Sequence, residues 1–345
     1  MKRYLILAEG HSADEHHGKT MYGVIRYAPD PVVCVLDSRR AGETVEGGIP
    51  VVASVHEGLA HQPTTALVGV APTGGRLPAA WKEILKEAIA AGLDVEAGMH
   101  EFLADDPELS TLAREHGVAL RDFRRPPEGL SVPTGENLTH GADVVLTVGS
   151  DCAIGKKTVA LALDRAARDR GLRSVFVPTG QTGIMIAGWG IAVDAVVSDF
   201  LAGAAERLVV EGAARGDLLW VEGQGSLIHP QYSGVTLGLY HGSLPHLLVL
   251  CHRAGQTHIE ELPEHPIPPL PELVARHEAA ALPARPAKVA AIALNTRGLD
   301  EAGAHAAVAA AQAETGLPAD DPVRFGAAAL LDEVVARLPS GITRP

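Results

Sequence analysis

Gly149, Gly155 and Lys156, in the stretch "VVLTVGSDCAIGKKT", have the spacing of a phosphate-binding loop. In such a loop a strand delivers a turn whose backbone N–H groups surround an anion. The following helix adds its positive N-terminal end. Lys156 directly follows the second glycine and supplies the charge. Two features depart from the common G-x-x-x-x-G-K-[ST] form. Five residues (Ser150, Asp151, Cys152, Ala153 and Ile154) lie between the glycines, and Lys157 stands where a hydroxyl normally holds magnesium. Thr158 comes one position late. A lysine cannot ligate Mg2+, so either Thr158 serves one position late or Asp151 and an acid from elsewhere hold the ion.

"DLLWVEGQGS" offers that acid, because an apolar strand ending in a carboxylate is the usual second half of such a site. Glu222 fills the role, and Gly223 and Gly225 let the backbone come close to phosphate. The turns "GQTG" (Gln181, Thr182) and "GQGS" (Gln224, Ser226) present backbone N–H groups suited to a substrate or an oxyanion.

Proton-transfer candidates lie nearby. His229 follows the Glu222 loop closely, and His252 ends a strand. Asp199, Gly203 and Glu206 share one helical face, where carboxylates among small residues suit an amine or a metal. The histidines His229, His241, His246, His252 and His258 lack compact ligand spacing, so zinc is not expected. Lys156 and a helix N-terminus would activate Cys152 as a nucleophile, but a small, well-fitting loop residue is the plainer reading. Lys19, Lys157 and Arg253 are the cations available to an acidic substrate.

An α/β scaffold must hold these groups. Short apolar runs alternate with longer amphipathic stretches. "RYLILAEG", "VVCVLDS", "IPVVAS" and "TALVGVAP" read as buried parallel strands of a Rossmann-like domain over residues 1–125. "AAWKEILKEAIAAG" is a helix with Trp81, Ile84, Leu85, Ala88 and Ile89 on one face, and "ELSTLAREHG" a second, ended by Gly117. Pro, Gly and charge gather in Arg121–Gly141, and the linker proper is placed at 126–141. A second α/β domain over 142–345 takes its strands from "DVVLTVGS", "RSVFVPTG", "DLLWVEGQGS", "HLLVLCH" and "KVAAIALNT". "ELPEHPIPPLPELV" reads as an irregular excursion.

The bulk properties exclude several classes. A formal charge of −13 argues against nucleic acid and against a basic membrane patch. No apolar run has membrane-spanning length. Cys34, Cys152 and Cys251 form no C-x-x-C pair, so a cytoplasmic protein without a disulfide framework is expected. A homo-oligomer is expected as well.

Two resemblances follow from these motifs. The Gly149-Ser150-Asp151 and Val221-Glu222-Gly223 pieces resemble the loop and acidic strand end of dethiobiotin synthetase and its relatives. That likeness implies an adenine-reading role for Asn295 and an ATP- and Mg2+-dependent ligase that activates a carboxylate. The longer set "HHGKTMYGVIRY", "GVAPTGGRLP", "GSDCAIGKKT", "TGQTGIMIAG", "VEGQGSLIHP" and "NTRGL" resembles, over nearly the whole chain, a family of P-loop proteins. Some of its members are described as D-glutamate N-acetyltransferases. This second likeness implies a Rossmann-like domain followed by a P-loop domain, with acetyl-CoA as donor and an amino acid as acceptor. His229, Asp199 and Glu206 are then the candidate bases, and the loop holds the pyrophosphate of coenzyme A. Lys157 leaves ATP with magnesium and coenzyme A both open.

Overall fold

The computed structural model describes residues 1–14, 18–70 and 76–340. His16, His17 and residues 71–75 of the quoted motifs lie outside the described residues. The first strands are β1 (Tyr4–Leu7), β2 (Val32–Leu36), β3 (Thr44–Val45), β4 (Ile49–Val52), β5 (Thr65–Val68), β6 (Asp94–Ala97) and β7 (Leu120–Asp122). Among them lie α1 (Lys19–Tyr27), α2 (Val55–Gly58), α3 (Ala79–Ala90) and α4 (Pro107–His116). Then come β8 (Asp143–Gly149), α5 (Lys156–Asp169), β9 (Ser174–Val177), α6 (Gln181–Ala187), α7 (Ser198–Ala213) and β10 (Leu218–Val221). The remainder is α8 (Ser233–Ser243), β11 (Leu247–Arg253), β12 (His258–Ile259), β13 (Leu262–Pro266), α9 (Leu270–Ala279), β14 (Lys288–Asn295), α10 (Glu301–Thr315), β15 (Ala319–Asp320) and α11 (Ala328–Val335).

Two compact units result: Met1–Pro126 with Gln181–Ala195, and Pro127–Gly180 with Val196–Pro345. The first sheet runs β3-β4-β2-β1-β5-β6-β7, parallel except for β3 against β4. Trp81, Leu85, Ala88 and Ile89 of α3 are buried against it as their spacing implies, and Gly117 closes α4 in the left-handed region (φ 67°). Asp37, just past β2, sits where dinucleotide-binding domains use an acid on ribose. Here its carboxylate instead accepts from the N–H groups of Gly10, Ser12 and Arg39 and from the Ser12 hydroxyl. The acid staples its own loop.

The second sheet is wholly parallel, in the order β15-β14-β11-β8-β10-β9. Every residue of β8 is buried, which suits a central strand covered on both faces. β8 lies between β11 and β10, with Gly149 beside Cys251 and Leu146 beside Val221. Because the strands are parallel, the glycine loop, His252 and Glu222 all emerge at one edge of the sheet. Open α/β sheets bind ligands at this edge.

Several local readings are corrected. Gln181, Thr182 and Gly183 of "GQTG" lie inside α6, not in a turn. The Pro-rich stretch forms β13, hydrogen-bonded to β12, and then enters α9. "DVEA" and "LRD" are strands too short and polar to stand out in sequence. Residues 181–195, expected inside the second domain, contribute Ile184, Met185 and Ala192 to the apolar core of the first unit.

The α7 face of small and acidic residues has a structural use. A Cβ at Gly203 would lie 1.8 Å from the carbonyl oxygen of Ser131, so the connecting chain crosses the helix there. Glu206 is buried and accepts from the N–H groups of Thr134, Gly135 and Glu136 and from the Thr134 hydroxyl at 2.6 Å. Burial raises its pKa, but these donors outweigh burial and hold the carboxyl below its usual range. Glu206→Gln should therefore lower stability by about 1–3 kcal/mol at neutral pH. A depressed folded-state pKa gives stabilisation that is present above the unfolded value, about 4.3. It is lost as pH falls through the folded value, so the gap between the proteins closes in acid. Urea titrations at neutral pH and in acid check both points.

Candidate phosphate-binding site

β8 ends at Gly149, and hydrogen bonds then fix the loop residue by residue. The N–H of Ser150 donates to the carbonyl of Cys251 (3.1 Å), and its hydroxyl lies 2.9 Å from Nδ1 of His252. Burial lowers the pKa of His252, which favours its neutral form. Asp151 is buried. Its Oδ1 accepts from the N–H of Cys152 (2.6 Å), and its Oδ2 accepts from Gln256 Nε2 (2.6 Å) and the N–H of Glu260 (2.9 Å). Ala153 (φ 52°) and Gly155 (φ 114°) are both left-handed, and this turns the chain into α5. Asn295 Nδ2 donates to the Ile154 carbonyl at 3.2 Å, so Asn295 clamps the loop directly.

Lys156 is 6% exposed, and its Nζ donates to the Asp151 carbonyl at 2.6 Å. Burial lowers its pKa, opposed by Cys152, Cys251, Asp151 and Glu222 nearby. Burial also pushes the Cys251 thiol up to about 12, so it stays protonated beneath the loop. A buried ammonium at the head of a 14-residue helix is a strong site for an anion.

The second wall comes from β10. Glu222 Oε2 accepts from the N–H groups of Thr179 (2.9 Å) and Gly180 (3.1 Å), and its carbonyl accepts from the Thr179 hydroxyl. Gln224 Nε2 donates to that hydroxyl (3.2 Å), and the Gln224 carbonyl accepts from Thr236. Gly223 N–H donates to Thr147 Oγ1 at 2.9 Å.

His229 closes the group from the next turn. It is 1% exposed, and one ring nitrogen, Cys152 Sγ and an Asp151 oxygen all lie within 4.8 Å of one another. Among the described residues this is the cluster of histidine, cysteine and acid able to surround a metal. Its soft donors do not suit magnesium, which demands oxygen ligands. Asp151 and Glu222, the expected magnesium acids, each accept from the N–H groups of a separate loop. Nδ1 of His229 accepts from the N–H of Gln231 (3.2 Å), while Nε2 is buried without a hydrogen-bond partner. The neutral ring must then carry its proton on Nε2. In that tautomer His229 presents a donor to the site.

Lys157 and Thr158 are half-buried in the first turn of α5, and Asp199 is exposed in the first turn of α7. Arg253 pairs with Glu260 at 3.1 Å, and buried Ser226 accepts from the N–H of Ile228. Lys19, Gln181 and Thr182 belong to the first unit. There Lys19 is exposed, Thr182 bonds Thr20 (2.9 Å), and Gln181 lies 3.4 Å from Arg124. Thr147, Thr179, Gln256 and Arg124 were not singled out in sequence. The "PTG" after β9 is the one local signal among them.

Residues 131–331 match the family described as a domain of unknown function, DUF1611_C P-loop domain. Residues 38–126 match its DUF1611_N Rossmann-like partner. A D-glutamate N-acetyltransferase of Tritonibacter scottomollicae is 37% identical over 96% of this chain and 98% of its own length. One from a Pseudoalteromonas species is 35% identical over 89% and 90%. A crystal structure of a DUF1611 family protein from Anabaena variabilis superposes with a TM-score of 0.92 at 44% identity, covering 97% of this chain and 99% of that one. Among the described residues no helix is long and apolar enough to cross a membrane.

Proposed function

The chain belongs to the DUF1611 family, and from that premise we propose that it moves an acetyl group from acetyl-CoA to the amine of an acidic amino acid such as D-glutamate. The observation that carries this reading is the near full-length likeness to two relatives named for that reaction. The loop geometry supports it. Backbone N–H groups, buried Lys156 and the α5 N-terminus suit the pyrophosphate of coenzyme A. No phosphoryl group moves, so Lys157 in place of the magnesium hydroxyl is tolerated.

In this reaction the amine nitrogen attacks the thioester carbonyl, the carbon–sulfur bond breaks, and the thiolate leaves as a thiol. The amine must first lose a proton. Of the three candidate bases, Glu206 is committed to the connecting chain and His229 is held as a donor. Asp199 remains.

The test is thiol release from acetyl-CoA with D- and L-amino acids, run with and without ATP and magnesium. Release that needs an acidic amino acid but no ATP is expected. ADP formation that depends on the amino acid would overturn the proposal in favour of a dethiobiotin synthetase-like ligase.

A further inference from the structure

Arg124 lies two residues past β7, at the edge of the first sheet where strands end. It is 4% exposed, although a guanidinium is costly to bury without partners. Nη1 lies 2.7 Å from Asp194 Oδ2 and 3.4 Å from Gln181 Oε1. Nε is buried and has no hydrogen-bond partner. All these residues belong to the first unit. Gly98, after β6, makes the arrangement possible: a Cβ there would lie 2.7 Å from Gln181 Cγ and 3.1 Å from Met185 Cε. Asp194 and His100, both exposed, lie beside the buried guanidinium. Burial, and then Arg124, lower the pKa of His100, which adds a neutral polar ring to the rim.

We infer that Arg124, with Gln181 and Asp194, forms a carboxylate-binding site in the Rossmann-like unit. It would take the carboxylate of a small amino acid or dicarboxylic acid. An ion pair with Asp194 needs only a point charge, which a lysine would supply. The fork of an arginine matches a planar carboxylate through its Nε edge, and that is the edge without a partner here. Asp194 favours a singly charged carboxylate over phosphate, since a second negative charge beside it would be repelled. It also offers a partner to the ammonium group of an amino acid. The inference deepens the proposed activity, since an acidic acceptor needs such a cation, and it rests on that reading for the identity of the ligand.

The full chain should be titrated calorimetrically with D-glutamate, D-alanine and glutarate, and separately with coenzyme A. Arg124→Lys keeps the charge and removes the fork. It should weaken D-glutamate binding about tenfold, with the melting temperature and coenzyme A affinity unchanged. Arg124→Met should weaken it further. A matching loss for glutarate assigns the side-chain carboxylate, and a matching loss for D-alanine assigns the α-carboxylate. Either result supports the site even if no acetyl transfer is detected. The inference is overturned if wild type binds none of the three. It is also overturned if Arg124→Lys lowers the melting temperature while all three bind as before, because Arg124 is then a structural ion pair.

Discussion

Lys156→Met should bind coenzyme A about 10- to 100-fold more weakly than wild type, the equivalent of one or two charge-assisted hydrogen bonds. Its ligand-free melting temperature should be no lower. Both halves follow from one geometry. Lys156 is buried with its Nζ on the Asp151 carbonyl, and its pKa is depressed, by burial above all. The neighbouring carboxylates and the carbonyl offset only part of that desolvation. A bound phosphate would supply the compensating negative charge. Methionine fills much of the same volume without a charge, and replacing buried charges by apolar groups is often neutral or stabilising. Calorimetric titration and thermal melts decide the matter. Unchanged affinity would remove the loop as the phosphate site, and a lost fold would make Lys156 structural.

Much of this site was legible in the sequence, because its chemistry and its fold share the same residues. Glycine spacing, Lys156 and the apolar run of β8 identify the loop, since a buried central strand must be apolar throughout and the turn after it must allow positive φ. The rest depends on contacts distant in the chain. Gln256 and the N–H of Glu260 hold the Asp151 carboxylate from more than a hundred residues away, and no local pattern marks them. The tautomer of His229 is set by the N–H of Gln231, a backbone group that any residue there would offer. Glu206 and Gly203 have the spacing of a ligand face, yet that spacing equally serves a crossing chain segment. Arg124 stands among other arginines in "RDFRRPP" with no local mark, and only the fold buries it.

Gly223→Ala should destabilise the protein by about 3 kcal/mol or more, at the upper end of overpacking effects. A Cβ at this position would lie 1.7 Å from the carbonyl oxygen of Thr147 and 2.8 Å from its carbonyl carbon. These are backbone atoms of β8, which is held on both sides by β10 and β11, so no rotamer change relieves the clash. The chain past Glu222 would have to move away. That movement breaks the bond from Gly223 N–H to Thr147 Oγ1 and disturbs the Lys156 stem, whose Cδ lies 3.0 Å from the same Cβ. Coenzyme A binding should therefore weaken at least about tenfold in whatever protein still folds. Gly234→Ala is the control: its Cβ meets nothing within 4 Å, and it lies in α8, where alanine is the better helix former. That variant should melt at or slightly above the wild-type temperature. If Gly223→Ala also melted at the wild-type temperature and bound coenzyme A normally, the close approach of β10 to β8 would not be what shapes the phosphate site.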